Sequence, residues 1–75
     1  MRSIKKMSPG EQGIIVDVGG DKRFLSRITS IGLTLGCKVK MLRNERKLPL
    51  LLYGRDTVVA LDREDCEKLM VEVIP

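Results

Sequence analysis

Residues 22–36 read KRFLSRITSIGLTLG, and the rest of the chain is organised around this stretch. Phe24, Leu25, Ile28 and Ile31 recur at spacings of three and four, with Lys22, Arg23, Ser26, Arg27, Thr29 and Ser30 between them. That pattern predicts an amphipathic helix with one apolar face. Gly32 stands where a left-handed residue ends a helix, and Leu33 where a terminal apolar contact folds back onto Ile28. Asp21 precedes the first turn and can accept bonds from its free amides. Outside this helix the chain reads as strand, turn and one further small helix.

Upstream, Ile4 and Met7 are spaced to lay two apolar side chains on the domain from a single turn. Ser8-Pro9-Gly10-Glu11 then has proline and glycine at the central positions of a type II turn. Residues 13–18 follow as a strand of period two, with Ile14, Val16 and Val18 on one face and Ile15 and Asp17 on the other. Gly19-Gly20 ends that strand. The sequence there matches neither GxxxxGK[ST] nor GxGxxG, so the pair reads as a tight strand-to-helix turn and not a phosphate loop.

Downstream, residues 37–43 predict a strand with Val39 and Met41 inward and Lys38 and Lys40 in water. Residues 44–47 form a polar hairpin loop. Residues 48–53 are apolar on both faces, which calls for cover on both sides or for a partner on one, and Pro49 marks an edge or a strand start. Gly54-Arg55-Asp56 makes a second turn and residues 57–61 a branched-residue strand. Asp62-Arg63-Glu64-Asp65 announces a second helix over residues 63–69, with Leu61 and Cys66 at hydrophobic-staple spacing. Val71 and Val73 alternate with Glu72 in a last strand before Pro75. Five short strands and two short helices without a βαβ rhythm predict a mainly β chain, a small partly open β-barrel.

With 75 residues, 43% apolar and 32% charged, the chain has the composition of one small globular domain over residues 1–75. Its longest apolar run is far too short to span a bilayer, and no charged-then-apolar leader opens it, so the expected compartment is the cytoplasm, without insertion in the membrane. Histidine is absent, and Cys37 and Cys66 stand apart. Metal sites draw on several such ligands at close spacing, so no dedicated metal or cofactor site is expected, and Cys66 reads as a small buried thiol. Without histidine, a nucleophilic Ser or Cys also lacks its usual base, and no enzyme is expected. The net charge of +4 is unevenly spread. Residues 38–47 set Lys38, Lys40, Arg43, Arg46 and Lys47 against Glu45 alone, while residues 62–72 are acidic.

Three stretches together resemble one family. They are Ser8-Pro9-Gly10-Glu11-x-Gly13, Arg27-Ile28-x-x-Ile31-Gly32-Leu33-x-Leu35-Gly36, and Leu61-Asp62-Arg63-Glu64-Asp65-Cys66, continued by Val71-Glu72-Val73. In order and spacing they resemble the PGExG, RLxxLGLxPG and LRREEA patterns of the FeoA family, small cytoplasmic proteins of bacterial ferrous iron uptake. The same likeness extends to the SH3-like domain at the end of some iron-dependent repressors. Leu35 stands where the family usually has proline, Asp62 where it often has arginine, and Cys66 where alanine is common. The resemblance implies an SH3-like barrel that serves the membrane ferrous iron transporter as an accessory, docking on its cytosolic GTP-binding region.

The sequence nominates a partner-binding surface. An apolar set of Leu33, Leu35, Leu48, Leu51 and Tyr53 lies beside Lys38, Lys40, Arg43, Arg46 and Lys47, and interfaces combine an apolar centre with a charged rim. The rival is a nucleic-acid surface, with the basic hairpin along phosphates. Against it, only Phe24 and Tyr53 are aromatic, and Phe24 falls on the buried helix face. Metal sensing would have to rely on Cys37, Cys66 and scattered carboxylates, a poor set for ferrous ion.

Overall fold

A computed structural model describes all of residues 1–75. Six antiparallel strands form one sheet: β1 (Arg2–Ser3), β2 (Gln12–Val18), β3 (Lys38–Arg43), β4 (Leu50–Gly54), β5 (Thr57–Leu61) and β6 (Leu69–Ile74), in the spatial order β1-β6-β2-β3-β4-β5. Its helices are α1 (Lys22–Ser30) and α2 (Arg63–Cys66), and a 3-10 turn covers Ile4–Lys6. The sheet wraps around the core without closing, so β1 and β5 remain edges. The sixth strand, β1, escapes sequence reading because its two residues carry no alternation. It is defined by pairing Arg2 with Val71 and Ser3 with Met70.

α1 is built as its residues dictate. Asp21 caps it, Oδ1 accepting from the Phe24 amide at 2.9 Å. It ends in a Schellman motif: the Leu33 amide donates to the Ile28 carbonyl, the Gly32 amide to that of Thr29, and Gly32 has φ +89°. Phe24 and Ile28 are buried, but Leu25 and Ile31, expected on the same apolar face, are 48% and 36% exposed. The buried side of the helix is thus a single i, i+4 pair.

β2 departs from strict alternation. Ile15 is buried and Val16 is 39% exposed, the reverse of the expected facing. Gly13 and Ile15 form the inward row, and a β-bulge against β6 then shifts it: Ile15 pairs with Val71 and Asp17 with Met70, so Val16 is the extra residue and Val18, not Asp17, returns to the core side opposite Leu69. Gly13 lets the two backbones approach, since a Cβ there would lie 3.1 Å from the Glu72 carbonyl oxygen.

β3 places Val39 and Met41 inward and Lys38 and Lys40 outward, as its alternation requires. β4 starts after Pro49, not at residue 48, and it is an interior strand between β3 and β5. α2 stops at Cys66, four residues long instead of seven, because Leu69 is already recruited into β6. Asp62 has the extended backbone of an N-cap, but its side chain caps nothing. The core is a single cluster of 15 apolar residues, Leu61 and Cys66 among them.

Candidate functional site

The outer face of the sheet is assembled by register. Lys40 of β3 stands opposite Gln12 of β2 on one side and Tyr53 of β4 on the other, and Tyr53 in turn opposite Val58 of β5. Lys38 lies one outward position along, opposite Ile14. Gln12, Lys38, Lys40, Tyr53 and the β4–β5 turn line a groove of about 340 Å³ on this face. Tyr53 is 43% exposed and its hydroxyl is 3.3 Å from Asp56 Oδ1. Lys38 and Lys40 belong to none of the ion pairs in the molecule. Asp56 is the one carboxylate that lines the same groove.

The turn that closes this groove is unusual. Arg55 and Asp56 have φ of +51° and +61°, the left-handed values a two-residue hairpin needs and for which glycine or asparagine is the common solution. Arg55 crosses from there to the end of α1. Its side chain lies over Gly32, and Nη2 donates to Thr34 Oγ1 at 3.0 Å. Thr34 is also a wall of a second groove of about 370 Å³, lined by Asp17, Val18, Leu25, Thr29 and Leu35. Leu35 is 64% exposed at its rim. The Arg55–Thr34 contact joins the apolar groove at α1 to the basic groove on the sheet.

The structure divides the residues nominated from sequence. Leu35, Lys38, Lys40 and Tyr53 meet on the joined surface, and Leu51 is half-buried on the same sheet face. Leu33 does not: it is 1% exposed, because the Schellman turn folds it onto the core, which corrects its expected place at a surface. Arg43 is half-buried and tied to the Pro49 carbonyl at 3.2 Å, its Nε buried without a partner. Leu48 is 40% exposed in the loop after β3.

Arg46 and Lys47 lie in that loop too, past the far end of β3 from Lys38, and line a separate concavity with Lys5 and Arg63. The basic segment is therefore two sites. The acidic segment is not a separate end either, since Arg63 of α2 reaches into the basic loop, donating to the carbonyls of Glu45 and Leu48 and to Asn44 Oδ1. Arg55, Leu25 and Thr34 complete the joined surface. Nothing in the alternation of β4 and β5 signals the reach of Arg55, which depends on a tertiary contact.

No three His, Cys, Asp or Glu side chains are grouped to hold a metal ion. Cys66 is fully buried, and burial first, then the charge of Asp65, pushes its thiol up to about 12. A thiol so placed is a core hydrophobe, not a nucleophile. No helix is long and apolar enough to cross a membrane.

The model of the FeoA domain family matches residues 2–73. The Putative Fe(2+) transport protein A of Methanocaldococcus jannaschii is 29% identical over 63 residues, which is 84% of this chain and 76% of that one. A crystal structure of an iron uptake regulatory protein, FeoA, superposes with a TM-score of 0.92 at 24% identity over 96% of both chains. The zinc complex of FeoA from Stenotrophomonas maltophilia, described as a prokaryotic SH3 domain protein, superposes at 0.77 with 17% identity, over 96% of this chain and 91% of that one. The fold is thus SH3-like.

Proposed function

The chain belongs to the FeoA domain family, associated with ferrous iron transport, and on that footing we propose that it is a small non-catalytic accessory of ferrous iron uptake. It works in the cytoplasm and docks on the cytosolic GTP-binding region of the membrane ferrous iron transporter. One observation carries this reading: the Arg55–Thr34 contact makes a single surface of two grooves, with Leu25, Leu35 and Tyr53 as apolar ground and Lys38 and Lys40, in no ion pair, as a basic border. An apolar centre supplies affinity through burial, and unpaired cations steer an acidic partner and fix its orientation.

Titration of isotope-labelled protein with the transporter's cytosolic domain tests it. Amide resonances of residues 34–40 and 53–56 are expected to shift while those of β1 and β6 stay. Binding that leaves the first set unmoved would sink the proposal.

The exposed Tyr53 ring directly opposite Lys40 also favours a second reading, single-stranded nucleic acid with a base stacked on the ring. The Asp56 carboxylate at the same ring opposes it. Salt-sensitive RNA or DNA binding, with no response to the transporter domain, would exchange the two.

A further inference from the structure

The concavity lined by Lys5, Arg46, Lys47 and Arg63, of about 590 Å³, has four cations in its wall and no apolar residue. One wall of it is fixed by a hydrogen-bond network, and the exposed Arg46 and Lys47 face that wall. Asn44 Nδ2 donates to the carbonyls of Lys5 and Met7, both at 2.8 Å, and its Oδ1 receives Arg63 Nη2 at 2.8 Å. That one amide ties the 3-10 turn, the loop after β3 and α2 together. Arg63 Nη1 is fixed by the Glu45 carbonyl at 2.8 Å and that of Leu48 at 3.3 Å. Lys47 sits in a left-handed backbone conformation, φ +66°.

Charge accounting separates the four. Lys5 is neutralised by Glu67, 2.7 Å away. Arg63 is held only by neutral oxygens, and Arg46 and Lys47 are in no ion pair, so three of the four cations around one open space have no carboxylate partner. Burying an apolar group or stacking a base needs a wall that is missing here. What the site can satisfy is concentrated negative charge with several acceptor oxygens.

We propose that this concavity binds a phosphate group, free in solution or carried on an anionic lipid headgroup. The site lies apart from the docking surface, and its test requires no transporter. The full chain is titrated with inorganic pyrophosphate while amide shifts are followed, and in parallel is sedimented with phosphatidylcholine vesicles with and without phosphatidylglycerol.

Saturable shifts at Lys5, Arg46, Lys47 and Arg63, or sedimentation that needs the anionic lipid, are expected. The first arm identifies a free phosphate and the second a headgroup. The double variant Arg46→Gln with Lys47→Gln, at exposed positions without side-chain partners, should weaken the response about tenfold. The variant Lys38→Gln with Lys40→Gln removes the same charge elsewhere and should leave it unchanged. Equal losses in both variants would reduce the effect to net charge and overturn the site. So would the absence of a response to both probes, or shifts confined to the groove at Tyr53.

Discussion

Two neighbouring leucines that look alike in sequence have opposite duties. Leu33 is buried by the turn that ends α1, and Leu35, two residues on, is 64% exposed. Truncating a buried leucine removes its transfer energy and leaves a cavity, so Leu33→Ala should cost about 2–5 kcal/mol in denaturant unfolding. Leu35→Ala should change stability by no more than about 0.5 kcal/mol and act on partner binding instead. Cys66 makes a second residue-scale test. Its folded value of about 12 lies above the ordinary thiol value of 9.0, so the folded state favours the protonated form. The stability this contributes is complete below the unfolded value and is lost as pH rises from there toward the folded value. Unfolding midpoints should therefore fall through this alkaline window, and Cys66→Ala should flatten the fall. Thiol-directed reagents at neutral pH should label Cys66 only on unfolding.

At the scale of elements, α1 and its stop are written in contiguous residues: Asp21 as cap, a 3–4 periodicity, and Gly32 with Leu33. Those signals are local: the cap and the stop form as read, while the apolar face narrows to Phe24 and Ile28 and leaves Leu25 and Ile31 exposed. Gly32→Ala puts a Cβ on a backbone at φ +89° and within 3.2 Å of Arg55 Cδ. It should cost about 1–2 kcal/mol in thermal or denaturant unfolding. It should also weaken partner binding by pushing Arg55 off Thr34. What sequence reading missed is non-local. The bulge at Val16 is imposed by pairing with β6, the two-residue β1 exists only by pairing with the same strand, and α2 is cut short because β6 claims Leu69. The candidate surface divides in the same way. Lys38 and Lys40 follow from alternation along β3 and Tyr53 from the apolar run of residues 48–53, while Arg55 enters through a side chain that spans from the β4–β5 turn to the end of α1.

On the scale of the whole molecule, the fold divides one basic segment between two separate concavities, Lys38 and Lys40 in one and Arg46 and Lys47 in the other. β3 rises about 3.3 Å per residue, which puts roughly 16 Å between Lys38 and Arg43, with Arg46 and Lys47 beyond. At physiological ionic strength the Debye length is about 8 Å, so charge at one site is largely screened from the other. If docking on the transporter's cytosolic domain uses the Tyr53 groove, position and not net charge must decide the effect of neutralisation. Lys38→Gln with Lys40→Gln should weaken that docking about tenfold, chiefly through slower association, and the loss should shrink as salt is raised. Arg46→Gln with Lys47→Gln carries the same change in net charge and should leave the association rate within about twofold. Association kinetics measured for both variants at low and high salt decide the matter. Equal slowing would mean that the partner senses only the overall charge, and the groove would lose its claim.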